Sequence, residues 1–146
     1  MAALSSPTAA DRSGSAEQHA GGPEDPLRAV LRVDGWSTLL FGIALLGTAP
    51  WLAGPLGMPA SWLVPFGVAM LGGSAALLLI AGYPRIPPRL SAAVVAGNAL
   101  SGAALAALVF SGILPLTGLG TVFLLSGAAV VAVYAGLEFT ARRRSR

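Results

Sequence analysis

The chain contains no cysteine and no lysine, its one histidine is His19, and only 10% of its 146 residues are charged. Each scarcity excludes something. Without Cys there is no disulfide framework and no thiol nucleophile, and without Cys or further His the usual structural zinc site cannot be built. A soluble domain carries roughly 25% charged residues; this chain has well under half of that, with 55% hydrophobic residues and a mean hydropathy of +0.75. That balance excludes an ordinary soluble domain and leaves the membrane class. The nine basic residues, all Arg, give a sequence pI near 10.6. They stand at the ends of apolar segments, where they read as topological signals, so nucleic acid is not an expected partner.

Residues 1–25 are rich in Ala, Ser, Gly and acids, with no apolar run, and are expected to form a disordered cytoplasmic tail. Asp11, Glu17, Glu24 and Asp25 precede the first apolar segment, a poor match to a secretory signal, so the first span is expected to be kept as an anchor.

Four apolar segments follow, over about residues 27–49, 62–82, 90–110 and 117–137. Each approaches the ~20 residues a helix needs to cross about 30 Å of hydrocarbon. Helix is the expected form, because lipid offers backbone groups no partners and the runs lack the alternation of barrel strands. Glu24 and Asp25 before Pro26 mark the first helix start. Pro50, Pro55 and Pro59 are expected to break helix between the first two spans, and the remaining connections are short and Pro-containing. The fold class expected is all-α, an up-down transmembrane four-helix bundle covering residues 26–141, with a basic cytoplasmic end at 142–146.

Arg28 and Arg32 flank the first span, Arg85 and Arg89 lie in the middle loop, and Arg142, Arg143, Arg144 and Arg146 close the chain, whereas the other two loops carry none. Positive flanks stay in the cytoplasm, so both termini and the middle loop are expected inside a bacterial inner membrane. Trp51 and Trp62 then mark the outer interface, and Trp36, Tyr83 and Tyr134 the inner one.

Beyond Asp25 only two acids remain, Asp34 and Glu138. Asp34 lies about two turns into the first helix, with Ser37, Thr38 and Gly42 on its face; it reads either as a proton or cation site or as an interfacial carboxylate paired with Arg85 or Arg89. Asn98, some 13 Å along the third helix from Arg89 by the helical rise, reads either as a bridge between helices or as a contact for substrate or water. Glu138 reads as an i, i+4 partner of Arg142, with Tyr134 as an interfacial anchor or a partner of Glu138. Arg32, Asp34, Arg85, Arg89 and Glu138 fall at one membrane level and are expected to form a network beneath Asn98. Small residues recur at i, i+4 in Ala93-Gly97-Ser101, Ala99-Ala103-Ala107, Ala69-Gly73 and Ala128-Ala132-Gly136, and are expected to pack within the bundle. No metal constellation and no cofactor motif is read from the sequence.

LRVDGWSTLLFGIALL at residues 31–46, preceded by Arg28, then the Pro-rich outer loop, the Gly72-Gly73 helix, AAVVAGNAL at 92–100 and the AGLEFTARRR ending resemble small four-span integral membrane proteins of actinobacteria and other GC-rich bacteria. The resemblance covers about residues 27–144 and implies that Asp34, Asn98 and Glu138 occupy that family's polar positions. It implies a topology and supplies no reaction. The chain departs from small multidrug transporters, whose isolated Glu lies well inside the first span, and it lacks the first- and third-helix signatures of fluoride channels.

The sequence thus points to a non-enzymatic membrane protein, structural or accessory to a membrane complex. A small oligomeric transporter or channel using Asp34 and Asn98 is the alternative, and a lipid-binding protein a second one. The lipid bilayer is the expected partner, with a second copy or another membrane protein left open.

Overall fold

A computed structural model of the protein describes residues 25–144; of the tail expected over residues 1–25 only Asp25 is described, at the start of the first helix, and the rest of the tail and the last two residues, Arg146 included, lie outside the described residues. The described chain is four helices: α1 (Pro26–Leu56), α2 (Ala60–Ala81), α3 (Pro88–Ser111) and α4 (Gly118–Arg144). All four are long and apolar enough to cross a membrane.

α1 starts as its sequence directs. Asp25 accepts a hydrogen bond from Leu27 N at 3.1 Å, and Pro26 occupies the first turn, where its missing N–H leaves no gap. The helix does not stop at Ala49 as expected. It runs on through Pro50 and Pro55 to Leu56 and ends at Gly57, whose φ of 64° gives a left-handed cap. A proline removes one backbone bond, and a chain in lipid has no water to replace the others, so continuing the helix costs less than unwinding it. Glycine, with no Cβ to clash at positive φ, supplies the real stop. At 31 residues α1 is about 46 Å long by the helical rise, longer than the hydrocarbon core. The connection to α2 shrinks accordingly to Gly57, Met58 and Pro59.

The helices pair as α1 with α2 and as α3 with α4, and α1 against α4 joins the two pairs, while α2 barely touches α3. Two apolar clusters sit at opposite ends. The first holds Leu45, Ala49, Leu56, Met58, Leu63, Leu114 and Leu124. The second holds Leu27, Leu31, Leu77, Ala81 and Ala141, with Ile86 and Val94 packed against it. The second lies at the end that carries Arg28, Arg32, Arg85, Arg89 and Arg142 to Arg144, so those guanidinium groups gather at one end of an antiparallel bundle. Exposed Trp51, Trp62 and Phe110 belong to the other end.

Glycines set the close approaches. A Cβ on Gly35 would fall 2.9 Å from Leu78 of α2, and one on Gly42 would fall 3.3 Å from the backbone oxygen of Gly67. Gly120 passes so near the Leu56 carbonyl that a side chain there would overlap it. At that crossing Thr117 caps α4 through Gly120 N at 3.0 Å, donates its hydroxyl to Pro55 O at 2.6 Å and its N–H to Leu56 O at 3.1 Å. One residue thus satisfies the start of α4 and carbonyls at the end of α1.

The small-residue series expected to pack within the bundle mostly do not. Ala93, Gly97 and Ser101, then Ala99, Ala103 and Ala107, and Ala69 with Gly73 are all exposed, as are Ala132 and Gly136. A Cβ on Gly72, Gly73, Gly97 or Gly136 would meet nothing within 4 Å. Periodicity places residues on one face without saying which way the face turns, and these faces turn outward.

Candidate functional site

Counted along the helical rise, Asp34 lies about 12 Å from the start of α1, Asn98 about 15 Å from the start of α3, and Glu138 about 9 Å from the end of α4. Because α1 and α3 run opposite to α4, all three reach the same level. The structure brings them into direct contact. Asn98 Nδ2 donates one hydrogen to Asp34 Oδ2 at 2.9 Å and the other to Glu138 Oε2 at 3.1 Å. Thr38, one turn beyond Asp34, donates its hydroxyl to Asp34 Oδ1 at 3.1 Å. Both carboxyl groups therefore converge on one amide nitrogen.

Burial of the two acids is nearly complete, at 2% exposure for Asp34 and 0% for Glu138, while Asn98 is half-buried. Above the site, the interior is the cluster around Leu45, Leu63 and Leu124; below it, Leu27, Leu31, Leu77, Ala81 and Ala141 close the arginine-bearing end. Each helix passes through both apolar layers with the polar level between them. The polar level therefore sits in a dry slab, where an electrostatic contact is far stronger than in water.

Several expectations change. Asn98 does not stand above a network of charges; it is the group that joins the two acids. Asp34 is held by Thr38 and Asn98 rather than paired with Arg85 or Arg89, both of which are exposed in or beside the middle loop. Those arginines follow the end of α2, and the layer containing Ile86 and Val94 lies between them and the acids. Glu138 does not bond to Arg142: Glu138 Oε1 and Arg142 Nε are both buried without a hydrogen-bond partner. Arg32 lies on the exposed side of α1. Tyr134 meets Ser37 rather than Glu138, with the two hydroxyl oxygens 3.1 Å apart. Of the face expected with Asp34, Thr38 and Gly42 turn inward, whereas Ser37 is exposed and also donates to Asp34 O at 3.0 Å.

One basic residue had an unforeseen role. Arg28 reaches from α1 to the end of α2, donating to Ala81 O at 2.5 Å, Tyr83 O at 2.7 Å and Pro84 O at 3.3 Å. A cation there satisfies carbonyls that the helix leaves open and meets the negative end of its dipole. The Gly82 N–H that follows α2 reaches carbonyls of the last turn, and Arg28 supplies the donors for Ala81 O and for the carbonyls of Tyr83 and Pro84.

Among the described residues no group of three His, Cys, Asp or Glu is placed to hold a metal ion. The side chains that converge are two carboxyls, an amide and a hydroxyl. Such a set can join three helices by hydrogen bonds, or hold a small positive charge. Compared with protein-family models, with curated proteins and with solved structures, the chain matches none.

Proposed function

We propose that this is a non-enzymatic multi-pass protein of the bacterial cytoplasmic membrane, a structural or accessory component of a membrane assembly, with both ends and the middle loop inside the cell. Four apolar helices make it compatible with an integral membrane protein. The gathering of the arginines at one end of the bundle supports the orientation. The proposal also keeps the chain with the small four-span proteins of GC-rich bacteria that its sequence resembles.

The observation that carries the accessory role is the position of the polar residues. Asp34, Asn98 and Glu138 bond to one another across α1, α3 and α4, and the interior beyond them is the apolar layer from Leu45 to Leu124. Intramembrane polar residues of a conducting path would be strung along it, whereas these are collected at one level and tie helices together. The test is ion and proton flux in liposomes holding the purified, folded chain. No flux above that of empty liposomes is the expected result, and flux that Asp34→Asn abolishes would overturn the accessory role.

The second reading is a small oligomeric transporter. In it, Asp34 and Asn98 of neighbouring protomers line a shared path; the bond between them within one chain does not favour that arrangement, and what favours a transport role is the buried pair of acids, Asp34 and Glu138. The same flux measurement decides between the two.

A further inference from the structure

We propose that the cluster of Asp34, Asn98 and Glu138 is a binding site for one monovalent cation, a proton or an alkali ion, held between the two carboxyl groups.

The argument is a count of charges and hydrogen bonds. Asn98 has two amide hydrogens, and both are spent, one on each acid. Thr38 gives its single hydroxyl hydrogen to Asp34 Oδ1. Three of the four carboxyl oxygens are thereby served. The fourth, Glu138 Oε1, is buried without a partner on a residue of 0% exposure, although its twin oxygen is inside the cluster. Buried acceptors left without a donor are rare in folded proteins, and each calls for a donor or a positive charge at that oxygen.

Charge gives the same answer independently. Two carboxylates that converge on one amide nitrogen inside an apolar slab repel strongly and lose their hydration, and such pairs persist when a positive charge is shared between them. The protein's own cations do not supply it. α2 carries no ionisable side chain. On α3, Arg89 is exposed at the helix start, beyond the layer that includes Val94. On α1, Arg28 is committed to the end of α2 and Arg32 lies on the exposed face. On α4, Tyr134 faces Ser37, and Arg142 makes no hydrogen bond to Glu138 through its buried Nε. One monovalent cation lowers the charge of the pair from two to one and gives Glu138 Oε1 a partner. A proton needs only one oxygen from each carboxyl; an alkali ion would add the Asn98 carbonyl and the Thr38 hydroxyl oxygen as ligands.

Occupancy is distinct from transport, so a chain that passes no ions across a vesicle can still hold one. The experiment is infrared spectroscopy on the full chain in detergent, at neutral pH, in choline chloride and then in sodium or potassium chloride, together with thermal unfolding in the same buffers. If the cation is a proton, a protonated-carboxyl band that shifts in D2O appears in choline and is unaltered by either alkali ion. If it is an alkali ion, adding that salt raises the unfolding temperature above its value in choline at equal ionic strength. The double variant D34N/E138Q, uncharged and nearly isosteric, loses both signals. Two ionised carboxylates with no response to either alkali ion overturn the proposal. So does a band or an ion response that survives unchanged in a folded double variant; should that variant fail to fold, the wild-type spectra decide alone.

Discussion

Asn98 on α3 stands 2.9 Å from Asp34 on α1, across a bundle in which no extensive contact between those two helices otherwise exists. The α3·α4 pair meets the α1·α2 pair mainly through α1 and α4, so this hydrogen bond, with its counterpart to Glu138, fastens the outlying helix to the centre of the fold.

Replacing Asn98 by Ala should therefore destabilise the bundle. Both acids would lose a donor in a dry setting, where a hydrogen bond to a charged group contributes about 1.5–3 kcal/mol in proteins generally and less, about 0.6–2, between membrane helices. A loss of about 1–3 kcal/mol is expected. Unfolding by sodium dodecyl sulfate in mixed micelles measures it, and an unchanged midpoint would mean that the amide contributes nothing.

At the opposite end, Gly120→Ala should cost about 1–3 kcal/mol, the usual penalty for overpacking. Its Cβ would overlap the Leu56 carbonyl, and the α1·α4 crossing would have to open, taking the Thr117 bonds with it. Gly97→Ala is the matched control. Its Cβ meets nothing within 4 Å, and Ala is the better helix former, so stability should hold or rise by up to about 1 kcal/mol. The two thermal midpoints, compared in one detergent, check the pair.

Arg28→Ala removes three hydrogen bonds from the end of α2. Faster hydrogen exchange at the last turn of α2 is expected, together with a lower unfolding midpoint. Arg85→Ala, at an exposed position, should leave both unchanged while weakening the positive-charge bias that the proposed orientation rests on. Equal effects from the two variants would refute the distinction between the cap and the topological signal.

Tyr134→Phe should have a small effect, below about 1 kcal/mol, because its hydroxyl meets only the exposed Ser37. A large loss of stability on that substitution would place Tyr134 in the polar cluster instead. The same mixed-micelle unfolding distinguishes the outcomes.

Much of this arrangement could be read from the residues. The four helices follow from run length and from what lipid demands of a backbone, and a common level for Asp34 and Glu138 follows from counting 1.5 Å per residue from the helix ends. What could not be read is which neighbours each side chain meets. Span ends drawn from composition place Asn98 above the acids, whereas the helices that form bring it to their level; and distance along an axis does not reveal azimuth, so a spacing of four residues does not make Arg142 the partner of Glu138. The small-residue series failed for the same reason: glycines that carry close contacts, among them Gly35, Gly42, Gly57, Gly67, Gly102 and Gly120, are distinguished by what faces them and not by spacing. Pro50 and Pro55 misled because a rule learned in water, where a broken helix can bond to solvent, loses its force where solvent is absent.

The central claim is a bundle that spans the membrane four times with its arginine-bearing end in the cytoplasm. The absence of cysteine makes it directly measurable, since a single introduced thiol has no background. Ile113→Cys, exposed in the α3–α4 connection, and Arg85→Cys, exposed in the middle loop, can each be treated in intact cells with a membrane-impermeant maleimide. The account predicts labelling of Ile113→Cys in intact cells and of Arg85→Cys only after the membrane is permeabilised. Labelling of Arg85→Cys from outside, with Ile113→Cys protected, would contradict it.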